Sequence, residues 1–274
     1  MSDTPAEDAR PEDHSTSVFD IVLNELRFAD PFRWLALGWQ DFRRAPGIGL
    51  FYGACFAAMG WILIKVFEYS PAWTLALSAG FLLVGPFLCL GIYDASSKLE
   101  RGLKPDFGAS LTAWDSKMGT MAIFGTVLLV LEMVWARASL VVFALSFDGM
   151  PDFKGSLLKL IDPENVEFIV AYTAVGSIFA GMIYAVSVVS MPMILDRQTD
   201  AISAGLTSIR LCLAQPGVML LWGALITILV VVAMLPGFLG LLVVGPVLGH
   251  ASWHAYRAAV AREAAPPADA ATAA

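Results

Sequence analysis

The sequence has 274 residues, of which 58% are hydrophobic and only 15% are charged, and its formal net charge is −7. An ordinary soluble domain carries roughly a quarter charged residues. The acidic balance argues against nucleic acid as a partner. The three cysteines, Cys55, Cys89 and Cys212, are too widely spaced for a zinc site or a disulfide framework. The sequence therefore predicts neither a metal nor another cofactor.

Six apolar runs separate the charged segments of the chain. Each approaches the roughly 20 residues that a helix needs to cross the hydrocarbon core, and a helix satisfies its own backbone hydrogen bonds in lipid. We therefore predict an all-α, polytopic membrane helical bundle of about six transmembrane helices. The predicted spans are Gly47–Phe67, Ala72–Tyr93, Met118 to about Leu140, Phe168–Leu195, Val218–Leu235 and Pro236 to about Tyr256.

The two ends of the chain differ from this apolar centre. Residues 1–16 are acidic and residues 261–274 are rich in alanine and proline, so neither segment can bury enough apolar surface to become ordered. We predict two disordered tails around one membrane domain of residues 17–260. Residues 1–46 contain no apolar signal region, so the first span is expected to direct insertion.

Basic residues predict the orientation of the spans, because Lys and Arg are retained on the cytoplasmic side. With six spans and a cytoplasmic N-terminus, 13 of the 17 basic residues fall on that side, whereas Lys154 and Lys159 fall in an opposite loop. We therefore predict that both termini are cytoplasmic.

Three segments of the chain share one plan, which predicts an internal threefold repeat with units of about 30–103, 104–200 and 201–260. Each unit has an amphipathic stretch, a span marked by two glycines six residues apart, and a span containing proline. The glycine pairs are Gly47 and Gly53, Gly119 and Gly125, and Gly217 and Gly223. The middle unit fits least well, because it carries a long insertion at about residues 141–166.

Prolines recur in the second span of each unit and predict helix kinks at Pro86, Pro192 and Pro246. A polar side chain stands eight residues beyond each proline, at Asp94, Asp200 and His254. Together with His250, these side chains form a candidate polar cluster at the cytoplasmic helix ends.

The stretch that opens each unit has apolar residues at helical spacing, which predicts a helix lying in the cytoplasmic interface with aromatic rings at headgroup depth. Asp30-Pro31 is a typical helix start. The apolar sets are Phe32, Leu35, Trp39 and Phe42; Phe107, Leu111 and Trp114; and Ile202, Leu206, Ile209 and Leu213.

Glu132 and Arg137 lie in the third apolar run, where an ionisable side chain is costly and is a functional candidate. Five residues along a helix separate the two by about 140° around its axis, so they do not share a face. The structural alternative is that Arg137 reaches the outer interface while Glu132 is paired or protonated.

His250 and His254 are four residues apart and share a helix face near the end of the last span. Such a pair could hold a metal or approach haem iron, but the chain has only one further histidine, His14. A hydrogen-bonded structural pair is the alternative reading.

Four stretches of this sequence resemble the bacterial membrane family called domain of unknown function 2189. They are PFRWLALGWQDFRRAPGIGLFYG (31–53), GPFLCLGIYDASSKLERG (85–102), SMPMILDRQTDAISA (190–204) and VVGPVLGHASWHAYR (243–257). The resemblance covers roughly residues 20–260. It implies a multi-span protein of the bacterial inner membrane and brings no agreed activity or cofactor.

Three functions remain open from the sequence. The leading hypothesis is a non-enzymatic accessory or assembly component that contacts the lipid bilayer and other membrane proteins or itself. The second is a small transporter or channel built from broken helices around Glu132. The third is a haem- or redox-associated membrane subunit that uses His250 and His254.

Overall fold

The structure is a computed structural model that describes residues 21–69, 71–146, 166–197 and 199–261. The predicted tails lie almost entirely outside the described residues, and so do His14, Lys154 and Lys159. Most of the predicted insertion at residues 141–166 lies outside them as well.

The described chain folds into ten α-helices and one short 3-10 turn at Asp115–Lys117, which confirms the all-α prediction. The helices are α1 (Asp30–Arg44), α2 (Pro46–Tyr69), α3 (Pro71–Glu100), α4 (Phe107–Leu111), α5 (Met118–Ser146), α6 (Val166–Ser187), α7 (Ser190–Asp196), α8 (Ala201–Ala214), α9 (Pro216–Met234) and α10 (Leu241–Ala259).

Within the described residues, four helical segments are long and apolar enough to cross a membrane. They are Pro46–Tyr69, Phe107–Ser146, Val166–Asp196 and Pro216–Met234. The last predicted span begins later than expected, at Leu241 instead of Pro236. Gly237 and Phe238 have positive φ angles of 64° and 66°, so the chain turns here before α10 can start.

The three predicted kink prolines lie in two different settings. Pro86 and Pro246 lie inside α3 and α10, which continue as single helices through them. At Pro192 the helix is interrupted: α6 ends at Ser187 and α7 begins at Ser190. Proline is tolerated there because it stands in the first turn of α7, where its missing N–H would have no helical partner.

The helices α1, α4 and α8 all expose large apolar side chains, although Trp34 of α1 and Leu211 of α8 are buried in the core. On α8, Ile202 and Leu213 are 67% and 77% exposed, whereas Thr207 and Ser208 are fully buried. On α1, Phe32 and Trp39 are exposed, but the predicted set is not uniform, because Phe42 is buried. On α4, Phe107 and Leu111 are exposed, and so is Trp114, which follows this helix. This inverts the pattern of a water-soluble helix and suits contact with lipid.

The last helix, α10, lies at the centre of the packing because two other helices touch its backbone. A Cβ atom at Gly53 of α2 would stand 2.1 Å from the carbonyl oxygen of Leu242. A Cβ at Gly38 of α1 would stand 2.7 Å from the backbone nitrogen of Ala251. Such close approach requires glycine. It brings polar side chains of α1, α3 and α10 within hydrogen-bonding distance.

The main hydrophobic core lies at the end of the bundle where α1, α7 and α8 meet α10. Among its large side chains, Trp34 of α1 packs edge-on against Trp222 of α9, with ring centroids 5.5 Å apart. Its other fully or almost fully buried members include Leu90, Met193, Leu211, Trp253 and Tyr256. This core thus joins α1, α3, α5, α7, α8, α9 and α10, while Ile48 and Tyr52 of α2 pack in a second, smaller cluster.

The two ends of the described chain are also joined there. Leu23 and Val260 form an antiparallel bridge, and the N–H of Asn24 donates to the carbonyl of Ala259. The Gln215 side chain accepts from the N–H of Leu26 and donates to the carbonyl of Asn24. The segment before α1 is therefore fixed between α8 and α10.

Candidate functional site

A continuous chain of hydrogen bonds links three helices inside the bundle. The Ser96 hydroxyl of α3 lies 3.0 Å from Oδ2 of Asp41 on α1 and 2.7 Å from Nδ1 of His250 on α10. The same Asp41 oxygen lies 2.8 Å from Nε2 of His254. Asp41, Ser96 and His250 are buried, and His254 is largely buried. We call these four residues the buried polar chain.

One arrangement of protons satisfies every bond in the buried polar chain. His250 donates from Nδ1 to the Ser96 hydroxyl, which donates to the Asp41 carboxylate, and His254 donates from Nε2 to the same carboxylate. In this tautomer, Nε2 of His250 is a bare acceptor, and it has no hydrogen-bond partner among the described residues. Both histidines thus form hydrogen bonds inside the bundle, which agrees with the alternative of a hydrogen-bonded structural pair.

The buried polar chain contains serine, histidine and aspartate, yet its order differs from that of a catalytic triad. Ser96 lies between the acid and His250, and its side chain is fully buried. In a triad the imidazole lies between the nucleophile and the carboxylate so that it can accept the hydroxyl proton. The buried polar chain joins α1, α3 and α10 by hydrogen bonds. Within the described ranges, no three His, Cys, Asp or Glu side chains could hold a metal ion.

A second polar group joins the ends of α3, α7 and α10. Arg257 contacts Glu100 at 3.1 Å and Asp196 at 3.1 Å. The Tyr256 hydroxyl donates to Asp196 at 2.7 Å, and the Trp253 indole donates to Glu100 at 3.0 Å. Burial alone lowers the pKa of Arg257, but the hydrogen bonds and charges of its two acidic partners outweigh burial and raise it. We call these residues the ion-pair network.

The ion-pair network borders an open pocket of about 470 Å³. Arg197 also lies there; it donates to the Tyr256 hydroxyl and to the carbonyl of Ala261. Arg101, which is mostly exposed, approaches Asp196 at 3.6 Å. The carboxylates and guanidinium groups of this pocket largely neutralise one another, so the network fixes helix ends in place.

Of the predicted cluster of Asp94, Asp200, His250 and His254, hydrogen bonds join the two histidines through Ser96 and Asp41. Asp94 pairs with Lys98 one turn along α3, at 2.7 Å. Asp200 caps α8 by accepting hydrogen bonds from the N–H groups of Ile202 and Ser203. Both aspartates thus have local partners on or next to their own helices, and the single cluster stays a prediction.

Glu132 and Arg137 occupy different faces of α5, as predicted. Glu132 is buried, with 7% exposure, whereas Arg137 is exposed. Oε2 of Glu132 is fully enclosed and has no hydrogen-bond partner in the described part of the chain. A buried carboxyl without a cationic partner is favoured in its neutral, protonated form.

The sequence did not indicate the partners of the two histidines. Asp41 reads as one more polar residue of an amphipathic helix, and Ser96 as a small residue at a helix end. A signal does exist for Asp41, since it lies seven residues after the buried Trp34 and beside the buried Phe42, on the inward face of α1.

A family model described as "Predicted integral membrane protein (DUF2189)" matches residues 74–196 of this chain. The match covers α3 to α7 and includes Glu132, Ser96 and the ends of α3 and α7 that carry the ion-pair network. No curated protein and no solved structure matches the chain.

Proposed function

We propose that this chain, whose residues 74–196 belong to the DUF2189 family of predicted integral membrane proteins, is a non-enzymatic accessory or assembly component. It would reside in the bacterial inner membrane and act through contacts between helices. The observation that carries this proposal is the buried polar chain. Ser96 and His250 have side chains of types that often act in catalysis. Here both are fully buried, and they form a hydrogen bond with each other between α3 and α10.

We further propose that α3 and α10 cross the membrane, giving six spans with both termini in the cytoplasm. The α3 helix has 30 residues and follows the acidic Glu68, whereas α10 has 19 residues and carries Arg257 in its last turn. Basic residues near the ends of these helices, such as Arg101 and Arg257, support the orientation. Single cysteines introduced at Arg101 and at Glu68 test it: a membrane-impermeant thiol reagent added outside spheroplasts should label only position 68.

The packing supports a threefold repeat. In each proposed unit, the second glycine of the first span contacts the second span of the preceding unit. Gly53 of α2 meets α10, a Cβ at Gly125 of α5 would stand 2.9 Å from Phe87 of α3, and a Cβ at Gly223 of α9 would stand 3.4 Å from Tyr184 of α6. We propose that the three units close into a ring by this repeated contact.

The outward face of α6 supports a role in helix contacts. This helix has no buried residue along its described length. Thr173, Ser177 and Gly181 follow one another at four-residue spacing on its exposed side, and a Cβ at Gly181 would meet nothing within 4 Å. Small residues at this spacing allow a second helix to approach closely, and hydroxyls can bond across such a contact.

Cysteine crosslinking in native membranes tests the accessory function. Cys55, Cys89 and Cys212 are first replaced by alanine, because all three are free thiols. Ser177→Cys should then form a crosslinked species, either with itself or with another membrane protein, when a short bismaleimide is added. Val175→Cys is the matched control because it lies on the less exposed side of α6. Equal crosslinking of both variants, or of neither, would contradict the proposal.

Transport is the second candidate, and the unpartnered carboxyl of Glu132 is the observation that favours it. A protonated carboxyl within a span can carry a proton between two sides of a membrane. Liposomes that contain the protein and a trapped pH-sensitive dye would reveal proton flux under an imposed potential. Flux that disappears in Glu132→Gln would support transport, and equal flux in the variant and in empty liposomes would exclude proton transport.

A further inference from the structure

A pocket of about 440 Å³ opens at the corner where α1 passes into α2. One wall is the segment from Arg44 to Ile48, and the other is the loop that leads into α4, from Lys104 to Phe107. A Cβ at Gly47 would meet nothing within 4 Å, so the pocket is open on this side.

The polar rim of this pocket is cationic. Arg44 and Lys104 contribute its two charged side chains, and both are exposed. Asp41, three residues before Arg44, is buried and bonded to Ser96 and His254. The acid nearest to Lys104 along the chain is Asp106, whose carboxylate accepts the N–H of Ala109 at the start of α4. This capping hydrogen bond partly offsets the negative charge of Asp106. The rim is complementary to an anionic group.

The wall next to this cationic rim is aromatic and faces outward. Phe107 packs edge-on against Phe51 of α2, with ring centroids 4.9 Å apart. The two residues are 42% and 39% exposed, and Leu111 continues the apolar surface along α4 with 41% exposure. Two fixed charges beside an exposed aromatic wall match a molecule with an anionic head and a hydrocarbon chain.

From this geometry we infer that the corner pocket binds an anionic glycerophospholipid. The phosphate headgroup lies between Arg44 and Lys104, and an acyl chain lies along Phe51 and Phe107. The inference rests on the proposed placement of α1 and α4 in the membrane interface. It adds a specific lipid class and a specific site to that placement.

Native mass spectrometry of the purified full-length protein in a non-ionic detergent tests the inference. Phosphatidylglycerol and phosphatidylcholine with identical acyl chains are added separately to the wild type and to the double variant Arg44→Gln/Lys104→Gln. The wild type should prefer phosphatidylglycerol, and the double variant should bind it roughly tenfold or more weakly, because each basic residue contributes separately to headgroup attraction. Both replaced side chains are exposed, so the fold should persist, as a thermal unfolding curve would show.

The matched control is Arg27→Gln/Arg33→Gln, which removes the same charge from exposed residues outside the pocket. It should keep the lipid preference, and an equal loss in both double variants would overturn the inference in favour of a general charge effect. Inorganic phosphate should not compete with the lipid at similar concentrations. Competition by phosphate alone would show a site for a soluble anion and would also overturn it.

The outcomes separate the lipid site from the proposed function. If the wild type shows no preference for phosphatidylglycerol but Ser177→Cys crosslinks as expected, the lipid site is wrong and the accessory role stands. If the wild type prefers phosphatidylglycerol but Ser177→Cys does not crosslink, the accessory role is wrong and the lipid site stands.

Discussion

The Asp41 carboxylate of the first helix lies 2.8 Å from Nε2 of His254 in the last helix, although 213 positions of sequence separate them. Ser96 contacts the same carboxylate oxygen and carries the connection on to His250. This contact joins the start and the end of the chain through a buried acid. The stability of the bundle should therefore depend on Asp41 more than on any exposed acid.

Replacing Asp41 by alanine should destabilise the protein strongly. The change leaves Ser96 and His254 without their acceptor inside the bundle, a cost of about 2–4 kcal/mol. Asp41→Asn should be milder, because the amide oxygen still accepts a hydrogen bond. Thermal unfolding in detergent measures both. Asp115→Ala removes an exposed acid outside the buried polar chain, and a loss as large as that of Asp41→Ala would contradict the assignment.

Gly53→Ala should destabilise the contact between α2 and α10. Alanine normally stabilises a helix interior by about 1 kcal/mol relative to glycine. Here its Cβ would stand 2.1 Å from the Leu242 carbonyl oxygen, so the two backbones must separate, at a cost of about 1–3 kcal/mol or more. Gly119→Ala is the matched control in the first turn of α5, where a Cβ meets nothing within 4 Å. Equal unfolding temperatures for the two variants would exclude close backbone packing at Gly53.

Glu132 should react with dicyclohexylcarbodiimide, an apolar reagent that enters membranes and attacks protonated carboxyls. The carboxyl adds across the carbodiimide and rearranges to an N-acylurea, so the labelled peptide gains the mass of one reagent molecule. Glu132→Gln should abolish this label and change unfolding little, because the amide is neutral and similar in size. Glu167, at the exposed start of α6, should react with a water-soluble carbodiimide instead. Labelling of Glu132 by the water-soluble reagent alone would show a hydrated, ionised carboxylate.

The cap at Asp200 should make the stability of α8 depend on pH. Burial alone raises the pKa of Asp200, but hydrogen bonds from Ser203 and Ile202 outweigh it and lower the pKa. A lowered folded-state pKa gives stability that is present above the unfolded pKa and is lost as pH falls through the folded one.

Asp200→Ser tests this dependence, because serine caps a helix without titrating. The unfolding temperatures of the wild type and Asp200→Ser should diverge in the acidic range, with only the wild type losing its cap. Asp200→Ala should be less stable by about 1 kcal/mol at neutral pH. Parallel pH profiles for all three proteins would contradict a role for the Asp200 carboxylate.

Much of the helical architecture could be predicted from the sequence. The α5 helix begins at Met118, as the apolar run indicated, and α2 covers the predicted first span. The separate faces of Glu132 and Arg137 followed from helix geometry alone. These features depend on hydropathy and helical periodicity, which are local properties that a sequence contains directly.

The side chains that form hydrogen bonds with His250 and His254 could not be predicted in the same way. Asp41 and Ser96 look ordinary in sequence, and the eight-residue spacing after each proline did not indicate that Asp94 pairs with Lys98 or that Asp200 caps α8. Which side chains meet depends on where Gly38 and Gly53 allow helices to approach α10. Such contacts are set by packing between distant segments.

The apolar runs by themselves thus determined that this chain is a helical membrane protein and where most of its long helices lie. Only the tertiary structure decided that the Asp41 carboxylate contacts both His254 and Ser96, and that Asp200 caps α8. It also decided that Oε2 of Glu132 is enclosed without a hydrogen-bond partner among the described residues. The physical reason is that hydrophobicity acts on each segment independently. A buried polar group, in contrast, is satisfied only by the neighbours that close packing brings to it.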